Sequence, residues 1–198
     1  MVLEIVKFGH PVLREKGQRI DRVTAELQQF AADMVQTMYV ADGVGLAAQQ
    51  VGRAVQLTVV DVRASEQPSE LLVNGQPQNL DEWMPLVLLN PVLSQPTGEV
   101  TGTEGCLSFP EIQAPIRRAA TVAVRANHLD GRELNFVATG LLARALQHEL
   151  DHLNGILFVD RMDAATKASL AGKLKKLQKE TVATLGPLPK RRRLLTRA

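Results

Sequence analysis

Two histidines four residues apart, His148 and His152, lie in the segment QHELDH, and the carboxylate of Glu149 directly follows the first. On a helix, residues i and i+4 lie one turn apart on the same face, so both imidazoles can reach one ion. Glu149 lies about 100° further round such a helix, at the rim of the site, where it can contact an activated water. The pattern predicts a hydrolytic metal site, although the same spacing also fits two polar residues on a helix beside a surface carboxylate.

The source of a third ligand is the next question, because catalytic sites of this type usually combine three protein ligands with an open position for water. No histidine follows His152, and the acids that do are Asp160, Asp163 and Glu180. Upstream, the only cysteine, Cys106, lies in the segment EGCLS. A thiolate with two imidazoles suits a divalent transition metal, but a lone cysteine is also a common small core residue. Both alternatives stay open on the residues alone.

The elements around these residues indicate an α+β fold. Apolar residues at helical spacing predict a helix over 24–40, with Thr24 as its N-cap, and a largely buried helix from Gly140 to about Leu153 that carries QHELDH. Alternating apolar positions around Asp130-Gly131 predict a β-hairpin. The remaining expectations are strands over 55–62 and 86–93, a polar loop or insertion over 63–82, and a helix over about 164–182 that ends at GPLP.

Composition bounds the class of protein. The chain has 198 residues, 45% of them hydrophobic and 22% charged, which is typical of a globular protein with one core. No apolar run approaches the roughly 18 residues that cross a bilayer, so we expect no membrane partner. A single cysteine rules out an internal disulfide. The first residues lack the layout of a secretory or transit peptide, and we therefore expect a cytoplasmic protein.

Charge is distributed unevenly along the chain. Residues 164–198 hold ten Lys and Arg against the single acid Glu180, a balance of +9, which leaves residues 1–163 at −7. We expect two parts: a hydrolase domain over 1–163, and a basic C-terminal helix and tail over 164–198. The tail is the part suited to a polyanion such as nucleic acid, although a solvated helix face and a frayed end would have the same composition.

Three segments together resemble the motifs of one family. GVGLAAQQ at 43–50, EGCLS at 104–108 and QHELDH at 147–152 are similar, in the same order, to the three motifs of peptide deformylase. VKFGHPVLREK near the start also resembles that family's entry segment, so the resemblance covers most of residues 3–163. Three linked motifs are far more specific than HExxH alone.

The resemblance implies a fold of antiparallel strands packed around a central metal-binding HExxH helix, followed by a C-terminal helix. It implies removal of the N-formyl group from the N-terminal formylmethionine of newly made polypeptides by attack of metal-bound water, with Glu149 as general base and then acid. It favours Fe²⁺ as the single divalent ion, with Zn²⁺, Ni²⁺ and Co²⁺ as alternatives. By motif position, Glu104 and Arg118 would form an ion pair. The implied metal ligands are Cys106, His148 and His152.

Further roles follow from the same resemblance. The Gln50 amide and the backbone N–H of Leu107 would face the developing oxyanion. The backbone around Val44, Gly45 and Gly105 would bind the peptide substrate, beside an apolar pocket for the methionine side chain. In some bacterial members of the family a C-terminal helix contacts the ribosome, which implies the same partner for the basic tail.

Two rival functions remain on the sequence. A zinc endopeptidase would take Asp160 or Asp163 as its third ligand and would keep its metal without Cys106. A non-catalytic module that binds the ribosome or RNA would depend on the tail and not on Glu149.

Overall fold

The computed structural model describes residues 1–185, which form two antiparallel sheets and four α-helices. The seven-stranded sheet has the order β1-β2-β5-β8-β9-β3-β4, and β6 pairs with β7 in a separate hairpin. This confirms an α+β fold with antiparallel sheets. The strands are β1 Gly45–Ala47, β2 Leu57–Val60, β3 Ser69–Val73, β4 Gln76–Pro77, β5 Leu86–Thr97, β6 Val100–Cys106, β7 Phe109–Arg118, β8 Thr121–Asn127 and β9 Glu133–Thr139.

The helices are α1 Ala25–Val40, the short α2 Leu80–Trp83, α3 Gly140–Leu153 and α4 Ala164–Leu185. Short 3-10 turns cover Pro11–Arg14, Ala48–Val51 and Phe158–Asp160. No helix within residues 1–185 has the length and apolar character needed to cross a membrane. The expected helix end at GPLP and the basic residues 190–198 lie outside the described residues.

The first helix begins and packs as the sequence predicts. The Thr24 side chain accepts a hydrogen bond from Leu27 N–H at 3.2 Å, which satisfies one of the free donors of the first turn of α1. Buried side chains of α1, including Met34 and Met38, pack on Leu57 of β2. The methionines are therefore part of the core.

The α3 helix lies on the opposite face of the same sheet. Because side chains alternate along a strand, β2 turns Leu57 towards α1 and Val60 towards Leu142 and Leu146 of α3. The helix begins at Gly140, whose φ is +61° and whose missing Cβ leaves room for the carbonyl oxygen of Pro68. The sheet thereby fixes both the start and the buried face of the helix that carries QHELDH.

A second core lies between the β6-β7 hairpin and the C-terminal helix. Phe109 of β7 packs edge-on against Phe158 with ring centroids 5.0 Å apart. Leu174 of α4 is buried in the same cluster. One face of the hairpin thus packs on this second core. Its tip, at Cys106, faces α3.

One predicted hairpin is present, and one segment predicted as a loop contains strands. The hairpin at Asp130-Gly131 is confirmed, with β8 and β9 paired throughout and Gly131 at a φ of +88°. The interpretation of 63–82 as a loop was wrong in part, because it contains β3, β4 and α2. Its polar character fits its place in the sheet, because β3 and β4 are the last two strands and only Leu71 is buried along β3.

Candidate metal centre and catalytic site

The three expected ligand side chains meet at one point. Cys106 ends β6, and His148 and His152 lie one turn apart on α3. The Cys106 Sγ is 3.3 Å from His152 Nε2, the two imidazole centroids are 5.0 Å apart, and one donor atom from each residue lies within 4.8 Å of the others. It is the only such cluster of His, Cys, Asp or Glu that residues 1–185 form.

The donor set fits a divalent transition metal. It combines one soft sulfur with two imidazole nitrogens, and both histidines are buried. Burial opposes protonation of His148, but hydrogen bonds to Cys106 and Glu104 outweigh it and raise the pKa of His148 to about 10. Burial keeps the pKa of His152 well below its usual value. Nε2 of His148 would have to lose its proton to hold a metal ion, so metal binding would release that proton.

The acids considered as alternative ligands are engaged elsewhere. Asp160 forms an ion pair with Arg14 and accepts the N–H of Leu157 at 2.9 Å. Asp163 accepts the N–H of Thr166 at 2.8 Å at the start of α4. Neither carboxylate belongs to the cluster.

A buried network of ion pairs contacts His148 on its Nδ1 side. Arg118 donates to both carboxylate oxygens of Glu104 at 3.0 Å, which confirms the expected ion pair, and also to Asp151. His148 Nδ1 lies 3.0 Å from Glu104 Oε2. Burial disfavours the Glu104 carboxylate, but hydrogen bonds from His148 and Arg118 lower its pKa to about 2. An ionised Glu104 accepts only, so Nδ1 carries the proton and Nε2 of His148 is left for a metal.

The Glu149 carboxyl lies buried beside the cluster. Burial raises its pKa to about 7, and Oε2 has no hydrogen-bond partner among the described residues. Gly45 of β1 makes this approach possible, since a Cβ at that position would overlap the carboxyl group. A carboxyl group with a pKa near neutrality can exchange a proton in either direction at neutral pH.

Two hydrogen-bond donors border Cys106. The Gln50 Oε1 accepts the N–H of Ala47 at 2.8 Å, which turns its Nε2 towards Cys106 Sγ at 3.5 Å. The N–H of Leu107 takes part in none of the hydrogen bonds of residues 1–185, while its carbonyl accepts from Lys7 Nζ at 2.9 Å. One side-chain amide and one backbone N–H are therefore available next to the cluster.

A cavity of about 550 Å³ gives access to this cluster. His152 is buried behind it. The other expected site residues all line the cavity, namely Val44, Gly45, Gln50, Gly105, Cys106, Leu107, His148 and Glu149.

Sequence reasoning missed part of the cavity wall. Arg144 lines the cavity and is 8% exposed. Its spacing of four residues before His148 was a usable signal, because it puts a cation on the same helix face. Ser65 and Gln67, from the stretch interpreted as a loop, also line the cavity. Nothing in their local sequence marks them.

The fold and the site together define a hydrolase of α+β architecture, with a cysteine and two histidines beside a buried glutamate. A family model described as polypeptide deformylase matches residues 2–168. The chain belongs to the peptide deformylase family, and it is an enzyme of that family.

Curated relatives agree in sequence over nearly the whole chain. The peptide deformylase of Methylacidiphilum infernorum is 43% identical over 179 residues, which cover 90% of this chain and 94% of the relative. That of Opitutus terrae is 43% identical over 185 residues, covering 92% and 96%.

Solved structures agree in fold. Peptide deformylase 1B of Arabidopsis thaliana, in complex with an inhibitor, is 35% identical with a TM-score of 0.80 and covers 98% of this chain and 100% of its own. The peptide deformylase of Synechococcus elongatus, in complex with actinonin, is 40% identical with a TM-score of 0.73, covering 86% and 87%.

Proposed function

We propose that this protein is a metal-dependent amide hydrolase that removes the N-formyl group from the N-terminal formylmethionine of newly synthesised polypeptides. One observation carries the proposal: Cys106, His148 and His152 converge at the wall of a cavity in which Glu149 is buried with a pKa near 7. Family membership supplies the reaction, and these side chains supply a mechanism for it.

The metal would be held by the Cys106 thiolate and by the imidazoles of His148 and His152. When bound, the ion supplies a Lewis acid that lowers the pKa of water towards neutrality and so provides a nucleophile strong enough for an amide. We propose Fe²⁺ as this ion, on the resemblance of the three motifs to the family. Zn²⁺, Ni²⁺ and Co²⁺ are the alternatives, because the same donors accept them and affinity order alone does not select among them.

Glu149 moves the protons. As a carboxylate it accepts a proton from the attacking water, and as a carboxylic acid it delivers that proton to the departing amine. Its buried position and its pKa near 7 support both roles, since each protonation state is populated near neutral pH.

Gln50 and Leu107 stabilise the oxygen that becomes negative during attack on the formyl carbon. The Gln50 amide is fixed in orientation by Ala47, and the N–H of Leu107 is not used by the described residues. Both lie next to Cys106. Donors that are already oriented stabilise the oxyanion without reorganising, and loss of one such donor typically slows a reaction by about a hundredfold or more.

The peptide substrate binds along Val44 and Gly45 on one side of the cavity and Gly105 on the other. β1 is the first strand of the sheet order, so its outer edge pairs with no strand of residues 1–185. An extended peptide can add to such an edge through main-chain hydrogen bonds. Gly105 is exposed at the facing end of β6 and lines the same cavity.

The direct test of the proposed function is formate release from a short formyl-methionyl peptide by protein purified without oxygen. We expect the metal-loaded protein to release one formate for each peptide hydrolysed. A chelator should abolish this activity, and added Fe²⁺ should restore it. A fully metal-loaded protein that releases no formate would contradict the proposed reaction.

We further propose that residues 1–163 are the hydrolase domain and that the basic residues 164–198 bring this cytoplasmic enzyme to the ribosome. The exposed lysines of α4 support this, because cations on one element suit a phosphate-rich surface. They are Lys167, Lys173, Lys175, Lys176 and Lys179.

Removing the whole of α4 would be a poor test of ribosome binding, because Leu174 is buried against the hairpin core. Replacing the exposed lysines of α4 by glutamine leaves that contact intact. We expect weaker co-sedimentation with ribosomes at low salt and unchanged hydrolysis of a free peptide. Unchanged co-sedimentation would contradict a role for this helix.

A further inference from the structure

Arg144, in the wall of the cavity, has much of its hydrogen-bonding capacity unused. It lies on α3 one turn before His148 and is 8% exposed. Its Nη2 donates to Thr103 O at 3.3 Å, and its buried Nε has no partner among the described residues. A buried guanidinium with unpaired donors is destabilising, because the desolvation of each donor is not offset.

The neighbouring carboxylate balances this cation only through a long ion pair. Glu104 Oε1 is 3.5 Å from Arg144 Nη2, a long ion pair. Both Glu104 oxygens already accept hydrogen bonds from Arg118, and one also contacts His148. Space for the guanidinium is provided by Gly102, where a Cβ would overlap it. The local structure therefore holds a charged donor at the cavity wall without supplying enough acceptors.

The cavity connects Arg144 to the reaction centre. The cavity is lined along α3 by Arg144, Ala145 and His148, and by Gly105 of β6. One turn of α3, about 5.4 Å along the axis, separates Arg144 from His148. When the formyl group lies at the centre, we place an unbranched first side chain of the substrate along this wall, towards Arg144. This step rests on the proposed function.

We propose that Arg144 recognises a hydrogen-bond acceptor at the end of the first side chain of the substrate. The substrate class then includes N-formyl peptides that begin with methionine sulfoxide as well as those that begin with methionine. The thioether sulfur is a weak acceptor, whereas the sulfoxide oxygen is a strong one on a side chain of the same length. A wholly apolar pocket would reject the sulfoxide, since its oxygen would lose hydrogen bonds to water without replacement.

The test compares two peptides of equal length, formyl-methionine-sulfoxide-Ala-Ser and formyl-norleucine-Ala-Ser. Norleucine matches the methionine chain and has no acceptor. The measured quantity is the ratio of their kcat/KM values within each variant, so a general loss of activity cancels. For Arg144→Leu we expect this ratio to fall about ten- to a hundredfold relative to the wild type, the range for a hydrogen bond to a charged group.

Two further variants separate this role from a structural one. Gly102→Ala leaves Arg144 in the chain but places a Cβ against its guanidinium, so the ratio falls in the same direction. Arg117→Leu, on an exposed side chain of β7 outside the cavity, leaves the ratio unchanged. An unchanged ratio in both Arg144→Leu and Gly102→Ala overturns this proposal for Arg144 but does not contradict the proposed function. If the wild type releases no formate from these peptides or from formyl-methionine-Ala-Ser, the proposed function fails and this proposal fails with it.

Discussion

His148 Nδ1 donates to the Glu104 carboxylate at 3.0 Å. Glu104 is itself held by two hydrogen bonds from Arg118, so the imidazole has one orientation, with Nδ1 as the donor to Glu104. The other ring nitrogen of His148, Nε2, consequently lies on the side of Cys106 and His152. A carboxylate outside the Cys106, His148 and His152 cluster thereby orients one of the three proposed metal ligands.

Glu104→Gln should weaken metal binding. A glutamine keeps the shape but removes the charge that holds His148 and balances Arg118, and the loss of such a partner typically costs about 10- to 100-fold in metal affinity. Competition with a chromogenic chelator measures this. Glu99→Gln is the matched control, because Glu99 forms an exposed pair with Arg117. Equal affinities in the two variants would contradict a supporting role for Glu104.

Gly45→Ala should lower activity without removing the metal. The added Cβ overlaps the Glu149 carboxyl group, and its three nearest atoms all belong to that side chain. Displacing the proposed base by even an ångström is expected to reduce kcat about a hundredfold. The matched control is Gly172→Ala in α4, where a Cβ meets nothing within 4 Å, and a helix-interior alanine adds about 0.5–1 kcal/mol of stability. Full activity in Gly45→Ala would contradict this placement of Glu149.

Cys106→Ser should abolish tight metal binding, since it replaces the soft thiolate by a hydroxyl that is not ionised at neutral pH. Asp160→Asn should keep the metal, because Asp160 pairs with Arg14 and lies outside the cluster. Metal content after gel filtration distinguishes the two. The reverse result would favour the rival in which Asp160 is the third ligand.

Local signals predicted some of these features, and longer-range pairing determined others. The helix that carries His148 and the hairpin at Gly131 are encoded by periodicity and turn residues within a short window. The pairing of β3 with β9 joins residues far apart in sequence, such as Leu71 and Ala138, so no local pattern revealed it. The β6-β7 hairpin that carries Cys106 is local, but the two residues between its strands, Leu107 and Ser108, are not typical turn residues of the Asn-Gly or Asp-Gly kind. The spacing of Arg144 before His148 was a usable signal that sequence reasoning missed, whereas the space for its guanidinium depends on Gly102, which is distant in sequence.

Burial of Glu149 should make stability depend on pH in the metal-stripped protein. Its pKa is about 7 in the folded chain against an ordinary value of 4.5, so between these values the folded state binds more protons than the unfolded state. The contribution of this group to the free energy of unfolding therefore falls as the pH rises from 4.5 to about 7. Glu149→Gln removes that penalty.

The free energy of unfolding of the variant should consequently equal that of the wild type near pH 4. Above pH 7 it should be higher by on the order of 3 kcal/mol. Urea unfolding of both proteins, each stripped of metal by a chelator, measures this difference in the free energy of unfolding across the pH range. A difference that does not change with pH would contradict the raised pKa of Glu149.

The most direct test of the central claim is formate release from formyl-methionine-Ala-Ser by wild-type protein and by Glu149→Gln, with bound metal quantified in both. We predict one divalent ion per chain in each protein, rapid formate release by the wild type, and a rate at least about a hundredfold lower in the variant. Equal rates from the two metal-loaded proteins would contradict Glu149 as the group that transfers the proton.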